Sequence, residues 1–352
     1  MTLADLLKAS AEIGGSDLHL SVGSPPQVRV AGQLRRLALP SLTAESVRLL
    51  ALSGLTEKQR CAFDETWELD AALDLPGVGR VRCNLFRQRN VVGAAYRLIP
   101  ERMRSLEELD LSPVLAELAD RPRGLVLVTG PTGSGKTTTL AAMVDRINST
   151  RPVHILTIED PIEYVHRHKT GLVTQRELHA DTHGFAMALR AALREDPDVV
   201  LVGEMRDQET MAAALKLAET GHLTMATLHT NSAAQTITRI VDAFPAHQQA
   251  QIRVQLSLVI EGIVCQVLVP AANGRGRVAA VEIMVATPAI RNLIREDKVH
   301  QLYAAMQVGQ DKAGMQTLNQ SLTRLVARRA ITRDHALATS SNREELQTMV
   351  GR

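Results

Sequence analysis

At 352 residues the chain is too long for one ordinary hydrophobic core and divides into two or three packed units. With 45% hydrophobic and 22% charged residues it is globular rather than disordered. Lys plus Arg total 40 against 38 Asp plus Glu, and aromatics are only 2%. That balance supplies neither a strong field nor a stacking platform for nucleic acid or an anionic membrane, so the expected polymer partner is protein.

Cys61, Cys83 and Cys265 are far apart and form no CxxC pair, which argues against a disulfide framework or a thiolate zinc site and fits a reducing compartment. The opening "MTLADLLKASAEIGG" carries Asp5 and Glu12 where a signal peptide needs basic and apolar residues, so no export is expected. The apolar run "LVIEGIVCQVLV" is interrupted by Glu261 and Gln266, too early for a spanning helix. A soluble protein is expected.

In chain order, residues 1–100 read as a small mixed domain. A helix is predicted over about 3–13, short strands in "DLHLSV" and "QVRVAGQLRRL", and one helix over about 43–60. A strand pair follows in "GRVRCNLFRQRNVVGAAYRLIP", with Arg80, Arg82 and Asn84 on one face and Val81, Cys83 and Leu85 on the other. Pro100 ends it, and the charged stretch 101–113 is expected to be a linker.

From 114 to 287, apolar strands alternate with helical stretches, the pattern of a parallel sheet covered on both faces. Strands are predicted at 125–129, 153–158, 199–202 and 223–228. Each runs into a polar cluster, and ligands of open parallel sheets bind beyond the carboxyl ends of strands, so the four clusters point to one site. Residues 288–352 read as a small helical cap beginning at Pro288 with Thr287 as N-cap.

The first cluster, "GPTGSGKTTT", satisfies G-x-x-x-x-G-K-[ST] between a strand and a helix. Gly130, Pro131, Thr132, Gly133, Ser134, Gly135, Lys136, Thr137 and Thr138 are the expected phosphate cradle: Lys136 reaches the β and γ phosphates, and the Thr137 hydroxyl binds Mg²⁺. ATP and Mg²⁺ are the implied ligands. In "VVLVGEMRD", Glu204 is the carboxylate for a metal or water role, partly through water, with Gly203 where many NTPases place an Asp. In "TIEDPIEYV", Glu163 is assigned as general base, while Glu159 and Asp160 are open between chemistry and capping of the turn before Pro161. His222 and His229 bracket "LTMATL" and are read as phosphate sensors, packing being the alternative. Arg80, Arg82, Arg97, Arg190 and Arg194 are the candidate charge-neutralising arginines, a solvated face being the alternative for each.

Taken in this order, the loop, "IEDPIE", "GEMRD" and "GHLTMATLHTNSA" resemble the Walker A, Asp box, Walker B and His box of the secretion-type ATPases that drive type II secretion and type IV pili. The resemblance implies an α/β fold: a RecA-like P-loop NTPase core, an N-terminal PAS-like α+β domain and a small C-terminal helical cap. Assembly members of the family usually carry an N-terminal extension and a four-cysteine zinc element, whereas this sequence opens at the PAS-like domain without CxxC. "AIRNLIRE", that is Ala289, Ile290, Arg291, Asn292, Leu293, Ile294, Arg295 and Glu296, matches a stretch typical of pilus retraction ATPases. Its Ile290, Leu293 and Ile294 form an apolar stripe that leaves Arg291, Asn292 and Arg295 exposed.

The resemblance further implies a homohexamer whose nucleotide sites receive Arg82 and Arg97 from the PAS-like domain. It implies ATP hydrolysis driving pilus retraction and twitching, and location at the cytoplasmic face of the inner membrane, attached only through the pilus machine. The implied partners are an inner-membrane platform protein (PilC-like) and a paralogous retraction ATPase. Competing readings are a pilus-assembly or type II secretion ATPase, an accessory (PilU-like) retraction subunit with weak turnover, and a nucleic-acid translocase, which the balanced charge opposes.

Overall fold

The structure is a computed structural model that describes residues 1–30, 32–99, 102–309 and 313–351. The chain forms two compact units, Met1–Arg102 with Pro161–Val165, and Met103–Asp160 with His166–Arg352.

In the N-terminal unit, α1 (Leu3–Glu12) starts at a capping box between Thr2 and Asp5. The strands β1 (Gly15–Leu20), β2 (Gln27–Val30), β3 (Gln33–Arg36), β4 (Glu68–Leu75), β5 (Gly79–Gln88) and β6 (Val91–Leu98) pair antiparallel in the order β3-β2-β1-β6-β5-β4. The helix predicted over 43–60 is two helices, α2 (Ala44–Leu52) and α3 (Glu57–Thr66), because Thr43 and Thr56 each open a new capping box. Val81, Cys83 and Leu85 are fully buried with Leu18, Phe63 and Tyr96, which turns Arg80, Arg82 and Asn84 to the opposite face of the sheet.

The larger unit is built on a seven-stranded sheet of β7 (Gly124–Thr129), β8 (His154–Glu159), β9 (Leu172–Glu177), β10 (Val199–Val202), β11 (Leu223–Leu228), β12 (Ile260–Pro270) and β13 (Arg277–Val285), in the order β13-β12-β7-β11-β10-β8-β9. All neighbours are parallel except β12 and β13. Successive residues of β7 enter different cores, Leu125 and Leu127 on one face, Val126 and Val128 on the other. Both faces are therefore covered, by α4 (Val114–Ala119), α5 (Lys136–Thr150), α6 (Phe185–Ala192), α7 (Gln208–Glu219), α8 (Ala233–Asp242) and α9 (Ala246–Val259). The first crossover leaves β7 toward β8 and the last returns to β12 on its other side, so the strand order reverses at the end of β7.

Two expectations change here. The stretch 103–113, predicted as a linker, packs into this unit: Leu106 is buried beside Val114, and Asp110 pairs with Arg328 at 2.5 Å. Residues 288–351 do not form one cap. The helix α10 (Pro288–Arg295) inserts Ile290 and Ile294 into the sheet core with α11 (Leu302–Val308), whereas α12 (Leu318–Ala327), α13 (Arg333–Thr339) and α14 (Arg343–Met349) close a separate small core on Val269 and Ala280.

Candidate active site

The loop after β7 is shaped by three glycines with positive φ, Gly130 (+140°), Gly133 (+76°) and Gly135 (+88°). A Cβ on Gly130 would lie 2.1 Å from the Gln266 carbonyl oxygen and one on Gly135 2.8 Å from Gln266 Nε2, so only glycine permits this approach to β12. Gln266 bolts the loop: its Nε2 donates to the Ser134 carbonyl at 2.7 Å and its Oε1 accepts from Thr139 Oγ1 at 2.7 Å.

α5 begins at Lys136 with no side-chain cap and no acid in its first turn, so its first N–H groups face outward beside the positive end of the helix dipole. Ser134 Oγ is buried with no hydrogen-bond partner among the described residues. Lys136 is buried, its ammonium donating to the carbonyls of Gly130 (2.8 Å) and Pro131 (3.1 Å). Uncapped N–H groups, an orphaned hydroxyl and an ammonium held by the loop together fit a phosphate chain. Thr137 is half-buried on the first turn of α5. A cleft of about 260 Å³ beside the loop is lined by Thr138, Leu109, Leu268, Arg104 and Arg277.

Glu204 follows the four-residue β10. Gly203 precedes it because the backbone there runs against β8: its N–H donates to the Ile158 carbonyl at 2.8 Å, and a Cβ would meet that oxygen at 3.1 Å. Glu204 receives His229 Nε2 at 3.1 Å on one oxygen and Arg206 Nε at 2.9 Å on the other, and Arg206 reaches Asp160 at 3.7 Å. Asp160 and Glu204 are thus bridged by an arginine that sequence reasoning passed over, although it stands two residues beyond Glu204, and His229, from the end of a third strand, joins them through Glu204. Glu159 is buried and accepts from Thr157 and Gln175, so it has a structural occupation.

Two expected residues, His222 and Arg190, do not join this cluster. His222 is at the other end of β11: Gly124 N–H donates to its carbonyl at the start of β7, and its ring contacts the Leu217 carbonyl and Thr220. Six strand residues separate it from His229, about 20 Å at the rise of a strand. Glu163, half-buried, follows β8 within the segment that groups with the N-terminal unit. Arg190 is exposed and pairs with Glu209 at 2.6 Å.

On the open face of the N-terminal sheet, Arg82 and Arg97 stand directly opposite each other on β5 and β6. Like charges in register repel, and carboxylates bracket them: Asp70 takes Arg82 through two bonds of 3.0 and 2.5 Å, and Asp17 takes Arg97 at 2.9 Å. Burial raises the Asp17 carboxyl, but bonds from Ser16 and Arg97 outweigh it and hold the group below the usual carboxylate range. The four line an open cleft of about 330 Å³ with Asn84. Arg80 pairs with Asp74 at 2.9 Å.

Within "AIRNLIRE" the arginines differ. Arg295 is exposed, whereas Arg291, expected outward, folds over the end of α9, donating to the carbonyls of Ser257 (3.0 Å), Leu258 (2.8 Å) and Ala286 (3.2 Å) and to Glu261 (2.6 Å). Asn292 is also partly covered. The reason is that α9 ends without a basic residue in its last turn, and Arg291 supplies the missing donors.

The chain is similar to known proteins. The family described as Type II/IV secretion system protein matches residues 102–338. The type IV pilus retraction ATPase PilT of Pseudomonas aeruginosa is 55% identical over 96% of this chain and 97% of its own. A twitching motility protein of Neisseria gonorrhoeae is 50% identical over 91% of this chain and 86% of its own. Among solved structures, the pilus retraction motor PilT with bound ADP superposes with a TM-score of 0.92 at 49% identity, covering 98% of both chains.

Proposed function

The chain belongs to the Type II/IV secretion system protein family, among its pilus retraction ATPases, and from that premise we propose that it hydrolyses ATP to drive retraction of type IV pili. The observation that carries the assignment is the meeting of Glu204, His229 and Arg206 at the strand ends of the sheet in which β7 carries the glycine loop.

Each residue has a task in this reading. The loop N–H groups, Ser134 and Lys136 hold the phosphate chain, and phosphate oxygens replace the Gly130 and Pro131 carbonyls as acceptors for the Lys136 ammonium. Thr137 and Glu204 would hold Mg²⁺, Glu204 partly through water. A magnesium ion held there would neutralise charge on the phosphate oxygens. Glu163 takes the proton of the attacking water. His229, bonded to Glu204, registers whether the γ phosphate is present, and Arg82 and Arg97 are the arginines offered to the transferring group. In this proposal the chain works as a hexameric ring at the cytoplasmic face against a platform protein of the inner membrane. Pilin release follows when hydrolysis changes the ring's conformation.

The test has a biochemical and a cellular arm. Lys136→Ala and Glu204→Gln should each abolish ATP turnover, Glu204→Gln while still binding ATP; substantial hydrolysis by both variants overturns the site. A strain lacking the protein should carry excess surface pili and lose twitching, whereas bald cells would mean assembly rather than retraction.

A further inference from the structure

Glu282 is an acid in an apolar place. It lies on β13 within "VAAVEIMV", is 4% exposed, and shares its face of the sheet with Cys265 and Met284. Burying a carboxylate costs several kcal/mol unless strong partners compensate (roughly the penalty for a buried ion). Its partners are two helix starts. One oxygen accepts the N–H of Ala233, the first residue of α8, at 2.7 Å, and the backbone N–H of Leu318, the first residue of α12, also favours the charged carboxylate. Both helices thus point their positive ends at one side chain. Burial still lifts the group above the usual carboxylate range, since the two N–H groups offset only part of that cost.

Its location in the chain gives these bonds a consequence. Ala233 is four residues beyond His229, and the loop between them is tightened by Thr236, whose hydroxyl bonds the Ser232 carbonyl at 2.8 Å and Thr230 at 2.7 Å. Across the sheet, Cys265 is the register partner of Glu282, and its sulfur receives Thr129 Oγ1 at 3.1 Å. Thr129 is the residue immediately before Gly130. A continuous buried path therefore joins the end of β7, Glu282 and the loop bearing His229.

We propose that Glu282 is a positioning residue of the hydrolytic site: by holding the first N–H of α8, it fixes the loop that sets His229 against Glu204. The proposal rests on the hydrolytic reading above and adds a residue to it.

The test is a double-mutant cycle on the full chain, measuring kcat and KM for ATP in the wild type, Glu282→Gln, His229→Ala and the combination. Gln keeps the shape but loses the charge that holds the Ala233 N–H, so kcat should fall about tenfold, within the range by which neighbouring residues couple, with KM unchanged. In the His229→Ala background the same change should alter kcat by less than about twofold. An equal fall in both backgrounds, or a rise in KM with kcat intact, overturns the proposal, because the residue would then act on the fold or on binding alone. If His229→Ala leaves kcat unchanged, the route through His229 does not exist and the proposal falls. If Glu204→Gln hydrolyses normally, the hydrolytic reading itself is at fault. Should Glu282→Gln fail to fold, hydrogen exchange of the wild type decides: the amide of Ala233 should slow on adding ADP, and an unchanged rate overturns the proposal.

Discussion

Replacing Arg291 by Ala separates a structural residue from a contact residue within one motif. The wild-type guanidinium makes four bonds, three to carbonyls and one to Glu261, and the pair is mostly covered, with 27% and 19% of the side chains exposed. Truncation leaves the Ser257 and Leu258 carbonyls without their donor and Glu261 with Arg121 at 3.6 Å as its remaining ion pair among the described residues. Hydrogen bonds to charged groups contribute about 1.5–3 kcal/mol each but are not additive, so the loss is about 3 kcal/mol. For a unit of this size each kcal/mol lowers the melting temperature by about 2–4 °C, which gives a fall of about 6–12 °C. Thermal unfolding followed by circular dichroism measures it, with Arg295→Ala as the exposed control, expected to stay within about 0.5 kcal/mol of wild type. Arg291→Lys should fall between the two, because an ammonium is a point donor and cannot span the same fork of acceptors. If Arg291→Ala melts like the wild type yet abolishes twitching, the capping argument is wrong and the arginine is read by a partner.

Two more predictions concern the larger unit. Gly130→Ala forces a Cβ to 2.1 Å from a backbone oxygen of β12 at φ +140° and should weaken ADP binding at least about tenfold, while Gly184→Ala, where φ is −169° and a Cβ meets nothing within 4 Å, should leave titration calorimetry with ADP unchanged. His166 is buried, and loss of hydration pushes its pKa down from 6.5 to about 4. The unfolded chain therefore binds the proton first as pH falls, so stability is full above about 6.5 and declines toward about 4, by at most about 1.4 kcal/mol per pH unit. His166→Gln should flatten the denaturation midpoint against pH in that window, and parallel slopes for the two proteins would refute the burial argument.

The parts of the molecule written as local patterns were legible in the sequence. The strands of the parallel sheet stand out because both faces are buried, and the glycine loop because strand, motif and helix are contiguous. The convergence of Asp160, Glu204 and His229 follows from strand ends alone. His222 did not fit this rule, because two residues that bracket a six-residue strand cannot share one end of it. What stayed hidden depends on partners distant in sequence. Glu261 and Gln266 were visible only as interruptions of an apolar run, yet one receives Arg291 and the other fixes the glycine loop more than a hundred residues earlier. Likewise β4 shows alternation in "ELDAALDL", but its membership in the sheet is decided by pairing with β5.

The distribution of thiols gives the chain its own reporters. Cys61 is exposed, Cys83 lies in the core of the N-terminal unit, and Cys265 lies in the other unit against the strand that precedes the glycine loop. Burial pushes the Cys83 thiol up to about 12 and the Cys265 thiol well above its ordinary range. Since only the thiolate attacks an alkylating reagent, each buried sulfur reacts only while its own unit is open. The labelling rate of Cys83 therefore clocks the opening of one body and that of Cys265 the other, and a nucleotide that binds the larger unit should slow the second clock first.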